Sequence, residues 1–283
     1  MYFPQKFDRK LAIELGNLIL SAYEQYRAFE CPGEWKLPGG YTLIKEFNYS
    51  ASRINPLDVE NKLTEYLHKF SPVKKEKPPE IPIGFLARSG DKLFVIFRGT
   101  RTPTEWVNNM NAKLIPFSIN NTGNVHEGFF NLYMDIRDDV LGPLASVHDK
   151  PKIYVAGHSL GATFASFAAY DIEITTGRKV HSLYTFGSPR LGDDEFVNAF
   201  NKKLSERAFR IANSSDIITE VPFPTEFAGF LGEYFSHVET PVLFTVQNKD
   251  IEKNHIMETY IAALEDAQVN PLKAFFRNLF HRS

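Results

Sequence analysis

A serine flanked by glycines, with histidines and carboxylates further along the chain, is a set of residue types able to transfer an acyl group. The serine is Ser159, in Gly157-His158-Ser159-Leu160-Gly161. A serine hydroxyl is a poor nucleophile until a base takes its proton and an acid holds that base in the right tautomer. In G-x-S-x-G pentapeptides that join a strand to a helix, the serine sits on a sharp, strained turn with its oxygen pushed out of the fold. The flanks fit that context. Lys152-Ile153-Tyr154-Val155-Ala156 is a short apolar run of the kind a buried strand uses, and Ala162 to Tyr170 is small and apolar enough for a helix packed closely on a sheet. A Cβ at either glycine would crowd the crossing of strand and helix. The leading end of the helix offers N–H groups to a developing negative charge. Ser159 is the candidate nucleophile; a chance match of a short pattern is the bland alternative, and the flanks count against it.

The base must come later in the chain, because folds built around this turn order their residues serine, acid, histidine. His237, His255 and His281 follow far enough on. Active-site groups of open α/β sheets lie on loops at the carboxyl ends of strands. His255 meets that rule: it follows the expected strand Val242–Val246 and a polar loop, just ahead of an expected helix. His237 precedes the same strand, and His281 sits in a tail. For the acid, Asp216 follows the expected strand Ala208–Ala212, again at a carboxyl end. Asp193 is the runner-up, since it also follows a strand, but it equally suits the cap of a helix over Asp194–Leu204. Asp250 lies too near His255 in one loop to be preferred.

The elements that must position these groups are those of an ordinary globular protein. The chain has 283 residues, 43% hydrophobic and 23% charged, with a formal net charge of -2. Mixed charge of this kind supplies no field for nucleic acid, so no nucleic-acid partner is expected. Cys31 is the single cysteine, which rules out an intrachain disulfide. Met1 to Leu20 lacks the signal-peptide pattern, because Asp8 and Glu14 interrupt it, and no apolar run reaches the ~20 residues of a membrane span. A cytoplasmic protein is the expectation, with contact at a lipid interface left open. No metal-ligand spacing is present, so neither metal nor cofactor is expected. Oligomeric state leaves no pattern to read.

Helices are expected over 8–29, 55–70, 126–144, 160–174, 194–204 and 255–267, and a hairpin over 83–97. Strands are expected near 153–156, 181–186, 208–212 and 242–246. Such alternation predicts an α/β fold, with a mainly parallel central sheet and helices on both faces. One domain over 1–283 is the simplest organisation, with 1–80 as a helical N-terminal extension and 270–283 as an amphipathic tail. In that tail Leu272, Phe275, Phe276, Leu279 and Phe280 share a face opposite Lys273, Arg277 and Arg282. A basic amphipathic helix can lie on a membrane, but docking on its own domain is favoured here.

Six ordered blocks now make the chain resemble the class 3 lipases, the fungal-type lipases with an α/β-hydrolase core. They are Val95–Thr100, Val125–Phe129, Gly157–Gly161, Thr185–Asp193, Arg210–Asn213 leading to Asp216, and His255–Met257 leading to Tyr260. The resemblance implies Ser159, Asp216 and His255 as a triad and makes Asp193 structural. It also implies Thr100, after Arg98-Gly99, as an oxyanion-hole donor, with the Leu160 N–H as the second. Residues 102–114 match the family's lid. Thr102-Pro103-Thr104-Glu105 is a helix-starting capping box, with Trp106, Met110 and Leu114 as an apolar stripe behind it. That stripe suits a moving cover and a fixed wall equally.

Between acid and base, the loop 222–231 carries Phe223, Phe227 and Phe230, too apolar for a solvated loop, and contact with the acyl part of a substrate is expected. Hydrolysis of a lipid or other apolar carboxylic ester through an acyl-enzyme is therefore the expected function, of triacylglycerol or other acylglycerol lipase type. Phospholipase A1 and feruloyl-type esterase are alternatives within the same chemistry. A non-catalytic lipase-like scaffold is the alternative of another class, and the retained serine, acid, histidine and Arg98-Gly99-Thr100 argue against it.

Overall fold

Period-two alternation of buried side chains decides the architecture. Along Lys92–Phe97 (β3), Leu93, Val95 and Phe97 join one apolar cluster while Phe94 and Ile96 join a second. Lys152–His158 (β6) repeats this, with Ile153 and Val155 on one side and Tyr154 and Ala156 on the other. Strands buried on both faces require helices on both faces. A computed structural model describes residues 1–31, 33–50, 80–100, 113–204, 206–222 and 234–267.

The remaining strands are Thr42–Ser50 (β1), Glu80–Ser89 (β2), Leu114–Pro116 (β4), Asn124–His126 (β5), Val180–Phe186 (β7), Ala208–Asn213 (β8) and Thr240–Phe244 (β9). Seven of them form one sheet in the order β1-β2-β3-β6-β7-β8-β9, and β4 pairs with β5 in a separate ribbon. From β3 to β9 every neighbour pair is parallel, while β1, β2 and β3 pair antiparallel. The expected α/β sheet with helices on both faces is the observed fold.

One face is covered by Glu127–Ala145 (α2), Leu160–Thr176 (α3) and Asp194–Leu204 (α4), which contribute Phe129, Tyr133, Phe164, Phe167, Phe196 and Phe200 to the core. α3 is buried along its whole first three turns, Leu160 to Ile172. Only the small side chains Ala162, Ala165, Ala168 and Ala169 let it sit so close to the strands. Arg9–Glu30 (α1) and Met257–Glu265 (α6) cover the other face with Leu15, Leu18, Ile19, Met257, Tyr260 and Leu264. Asp8 caps α1, its carboxylate accepting from the Lys10 and Leu11 N–H groups, a contact worth about 1 kcal/mol.

Three expectations need correction. Residues 1–80 are not purely helical: β1 joins the sheet as its edge, because Phe47 and Tyr49 alternate into the core. Leu114 lies on β4 rather than on a helical stripe, since its backbone pairs with His126. The helix expected from His255 is broken at Ile256, whose ψ of 148° is extended, so His255 ends the short helix Ile251–His255 (α5) and α6 begins after it. The expected helix over 55–70, Trp106, Met110, Phe223, Phe227, Phe230, His281 and the tail over 270–283 lie outside the described residues.

Candidate active site

Ser159 stands between β6 and α3 with φ 57° and ψ -126°. A non-glycine residue in such a region costs on the order of 1–3 kcal/mol and persists only where its surroundings over-determine it. Here they do. The Ser159 N–H donates to the Phe186 carbonyl at the end of β7 (2.9 Å), and its own carbonyl accepts from Ala162 N–H (2.9 Å). A methyl on Gly157 would meet the Gly161 carbonyl oxygen at 2.0 Å, and one on Gly161 the Arg98 carbonyl oxygen at 2.3 Å. The strand, the helix and the loop after β3 can cross this tightly only without side chains there.

The candidate acid and base come from neighbouring strand ends. Asp216 follows β8, and its Oδ1 accepts the Ile218 N–H (3.0 Å) at the head of the 3-10 turn Ile217–Glu220. Its Oδ2 lies 2.6 Å from His255 Nδ1 and accepts the Tyr260 hydroxyl. Asp216 and His255 are both buried. Because the carboxylate can only accept from the ring, Nδ1 carries the proton and Nε2 keeps its lone pair. Burial together with the Asp216 charge holds the Tyr260 hydroxyl protonated well above its ordinary range.

Two asparagines lock the loops that carry this pair. Asn213 Nδ2 donates to the Val246 carbonyl (2.9 Å) and the Asn254 carbonyl (3.0 Å), and its Oδ1 accepts from Val246 N–H (2.9 Å). Asn254 Nδ2 donates to the Ser215 carbonyl (3.0 Å). Gly187, at φ +59°, lies against the His255 ring; a Cβ there would stand 3.0 Å from His255 Cε1.

Three polar atoms of these loops are left without a partner. Ser159 Oγ, His255 Nε2 and Thr100 Oγ1 are buried and make no hydrogen bond. Thr100 and His255 line a cavity of about 250 Å³, with Leu20, Tyr23, Ile256 and Met257 among its other walls. Arg98 shapes the Thr100 loop, donating from Nε to the Pro82 carbonyl (2.8 Å) and from Nη1 to the Gly99 carbonyl (2.7 Å). Its guanidinium lies over the Tyr26 ring, 3.8 Å from the centroid. Leu160 opens α3, so its N–H belongs to the first turn that has no intrahelical partner.

The rejected candidates sit elsewhere. Asp193 accepts Asn124 N–H and Nδ2 on one oxygen and the Phe196 N–H on the other, so it caps α4 and fastens β5. His237 is pushed down to about 3 by burial and by the Arg210 and Arg190 charges. Reasoning from sequence did not single out Tyr23, Asn213, Asn254 or His158 for any role. Asn213 and His158 stand inside the quoted blocks, which was the one signal available.

With this geometry in view, residues 94–226 match the family lipase (class 3). A chloroplastic phospholipase A(1) of Arabidopsis thaliana is 36% identical over 158 residues, 48% of this chain and 35% of that protein. A chloroplastic galactolipase of the same plant is 27% identical over 286 residues, 83% of this chain and 57% of that one. The chain thus spans between about a third and just over half of these relatives. The triacylglyceride lipase of Rhizomucor miehei superposes with a TM-score of 0.61 at 19% identity, covering 83% of this chain and 81% of that structure. The expected cytoplasmic location is overturned by these two plant relatives, both named as chloroplastic. Among the described residues no helix is long and apolar enough to cross a membrane, and that fact carries no compartment.

Proposed function

We propose that the chain, whose residues 94–226 match the class 3 lipase family, acts as a serine hydrolase that cleaves carboxylic esters of lipids. The observation that carries this reading is the pairing of a closed Asp216–His255 contact with open valences on Ser159 Oγ, His255 Nε2 and Thr100 Oγ1. His255 Nε2 takes the Ser159 proton as Oγ attacks the ester carbonyl carbon. The Thr100 and Leu160 N–H groups, with the Thr100 hydroxyl, receive the oxyanion, where fixed donors in a dry site are worth most. His255 then protonates the leaving alcohol, and water repeats the sequence on the acyl-enzyme to release the acid. Asp216 holds the imidazolium that forms.

The chain works as one domain in this proposal, and its substrate is divided between two walls. Phe223, Phe227, Phe230 and Trp106, which lie outside the described residues, are proposed to contact the acyl part of the substrate. The leaving alcohol must touch His255, so the cavity that continues from His255 and Thr100 toward α1 is its side. That cavity also carries Arg27, Glu252 and Glu258. Charges of both signs suit a polar headgroup better than a second and third acyl chain. A phospholipase A1 or galactolipase activity, as in the relatives' names, is therefore the favoured substrate class, and triacylglycerol hydrolysis the second reading.

The test is hydrolysis of p-nitrophenyl esters of graded chain length, then of triacylglycerol, phosphatidylcholine and galactolipid dispersions, with Ser159→Ala in parallel. Ser159-dependent release of fatty acid is expected. Turnover unaffected by Ser159→Ala, or none on any ester, would end the proposal.

A further inference from the structure

Tyr23 lies on α1, remote in sequence from every residue of the proposed triad, yet its hydroxyl reaches two of the loops that form the site. It accepts the Gly99 N–H (2.9 Å) and lies 2.7 Å from His158 Nδ1. His158 Nε2 in turn lies 2.7 Å from the His255 carbonyl oxygen. A carbonyl can only accept, so Nε2 carries the proton and Nδ1 is the acceptor. The tyrosine hydroxyl therefore donates to Nδ1. One proton arrangement satisfies the whole chain: Gly99 N–H to Tyr23 Oη, Tyr23 O–H to His158 Nδ1, His158 Nε2–H to His255 C=O.

We propose that Tyr23 and His158 are positioning residues that fix the oxyanion loop against the base; this rests on the hydrolase reading above. The Gly99 peptide groups are held on both sides, the N–H by Tyr23 and the carbonyl by Arg98 Nη1. In a planar trans peptide the Gly99 carbonyl and the Thr100 N–H point oppositely. Holding the first aims the second. His255 is likewise held at two places, its ring by Asp216 and its carbonyl by His158. Misplacement of a catalytic group by about 1 Å can cost on the order of 10²-fold in rate, so a link between donor and base acts directly on turnover.

The chain also has to survive the reaction. When His255 becomes an imidazolium, its ring centroid is 4.6 Å from that of His158. Complete burial, and secondarily the charge of His255, keep His158 neutral far below the ordinary histidine range. His158 thus keeps its acceptor and its donor in place while the neighbouring ring is charged.

Tyr23→Phe tests the proposal on a soluble ester such as p-nitrophenyl butyrate. The expected result is a 10- to 100-fold fall in kcat with KM within about two-fold, below the 10²–10³ loss of an oxyanion donor itself. Tyr184→Phe is the control, because it removes another largely buried hydroxyl, the one that accepts the Asp8 N–H (3.0 Å) away from the site. It should change the melting temperature comparably and leave kcat intact. His158→Gln, which can still donate toward the His255 carbonyl, should recover part of the kcat lost in His158→Leu. Wild-type kcat in Tyr23→Phe, or an equal fall in Tyr184→Phe, overturns the positioning role while the hydrolase reading stands. Absence of Ser159-dependent turnover in the unmodified protein takes down both.

Discussion

The two halves of the site are built on opposite plans. Around Asp216 nearly every polar group is bonded: the carboxylate receives Ile218 N–H, Tyr260 O–H and His255 Nδ1–H, and Asn213 and Asn254 cross-link the loops that hold it. Around Ser159, its own Oγ, Thr100 Oγ1 and His255 Nε2 make no hydrogen bond. A buried polar atom without a partner costs about 1–3 kcal/mol, and the elbow backbone adds its own strain. The bonded half supplies the rigidity that lets the other half stay unsatisfied. What this teaches is that unsatisfied atoms are informative chiefly where their neighbours are over-satisfied.

Mutations can break that contrast from either side. Ser159→Ala, on the open half, should have the largest effect, lowering kcat on p-nitrophenyl esters by on the order of 10⁴ or more with little loss of melting temperature. Asp216→Asn comes next, at about 10³–10⁴ in kcat, because an amide can impose the wrong tautomer on His255. Its companion Asp193→Asn should leave kcat intact and cost about 1 kcal/mol of stability through the α4 cap. The reverse ranking in steady-state kinetics would show that the bonded half had been misassigned.

Tyr260→Phe removes one of the donors to Asp216 and is expected to lower kcat several-fold, since His255 and Ile218 remain. The smallest effect on rate belongs to Glu239, which supports α3 from below through Ser166 and Thr185. Burial raises its carboxyl to about 7, above the ordinary value of 4.5. Between those values the folded protein holds a proton that the unfolded chain has released, so stability falls as pH rises toward 7. The integrated loss is about 3 kcal/mol. Melting temperature against pH should therefore show a weaker decline from pH 5 to 8 in Glu239→Gln.

Much of this arrangement was legible in the amino-acid order. The strand–turn–helix around Ser159, the carboxyl-end position of Asp216 and the His255 loop all follow from periodicity and the sheet rule, and the structure brings Asp216 and His255 together. Asp193 could not be separated from Asp216 by position alone, since both follow strands; the family resemblance made it structural, and its bonds to Asn124 and Phe196 fit a capping role. β1 was missed because Thr42–Ser50 mixes polar and apolar residues, as an edge strand with one solvated face does. The break at Ile256 was invisible because nothing in Asn254-His255-Ile256-Met257 is a helix breaker; His255 is held there by Asp216 and His158 instead. Tyr23 had no signal at all, because a tyrosine on an amphipathic helix looks like any core residue.

The location of α1 limits how far the chain can be shortened. Its apolar face closes one side of the sheet with Leu15, Leu18 and Ile19, and its Asp8 cap starts the first turn. Proteolytic trimming from the amino end, whether by a processing enzyme or by a cloning decision, must stop ahead of Asp8. A cut inside the helix would bare the apolar side chains beneath it and yield an aggregating fragment rather than a smaller folded protein.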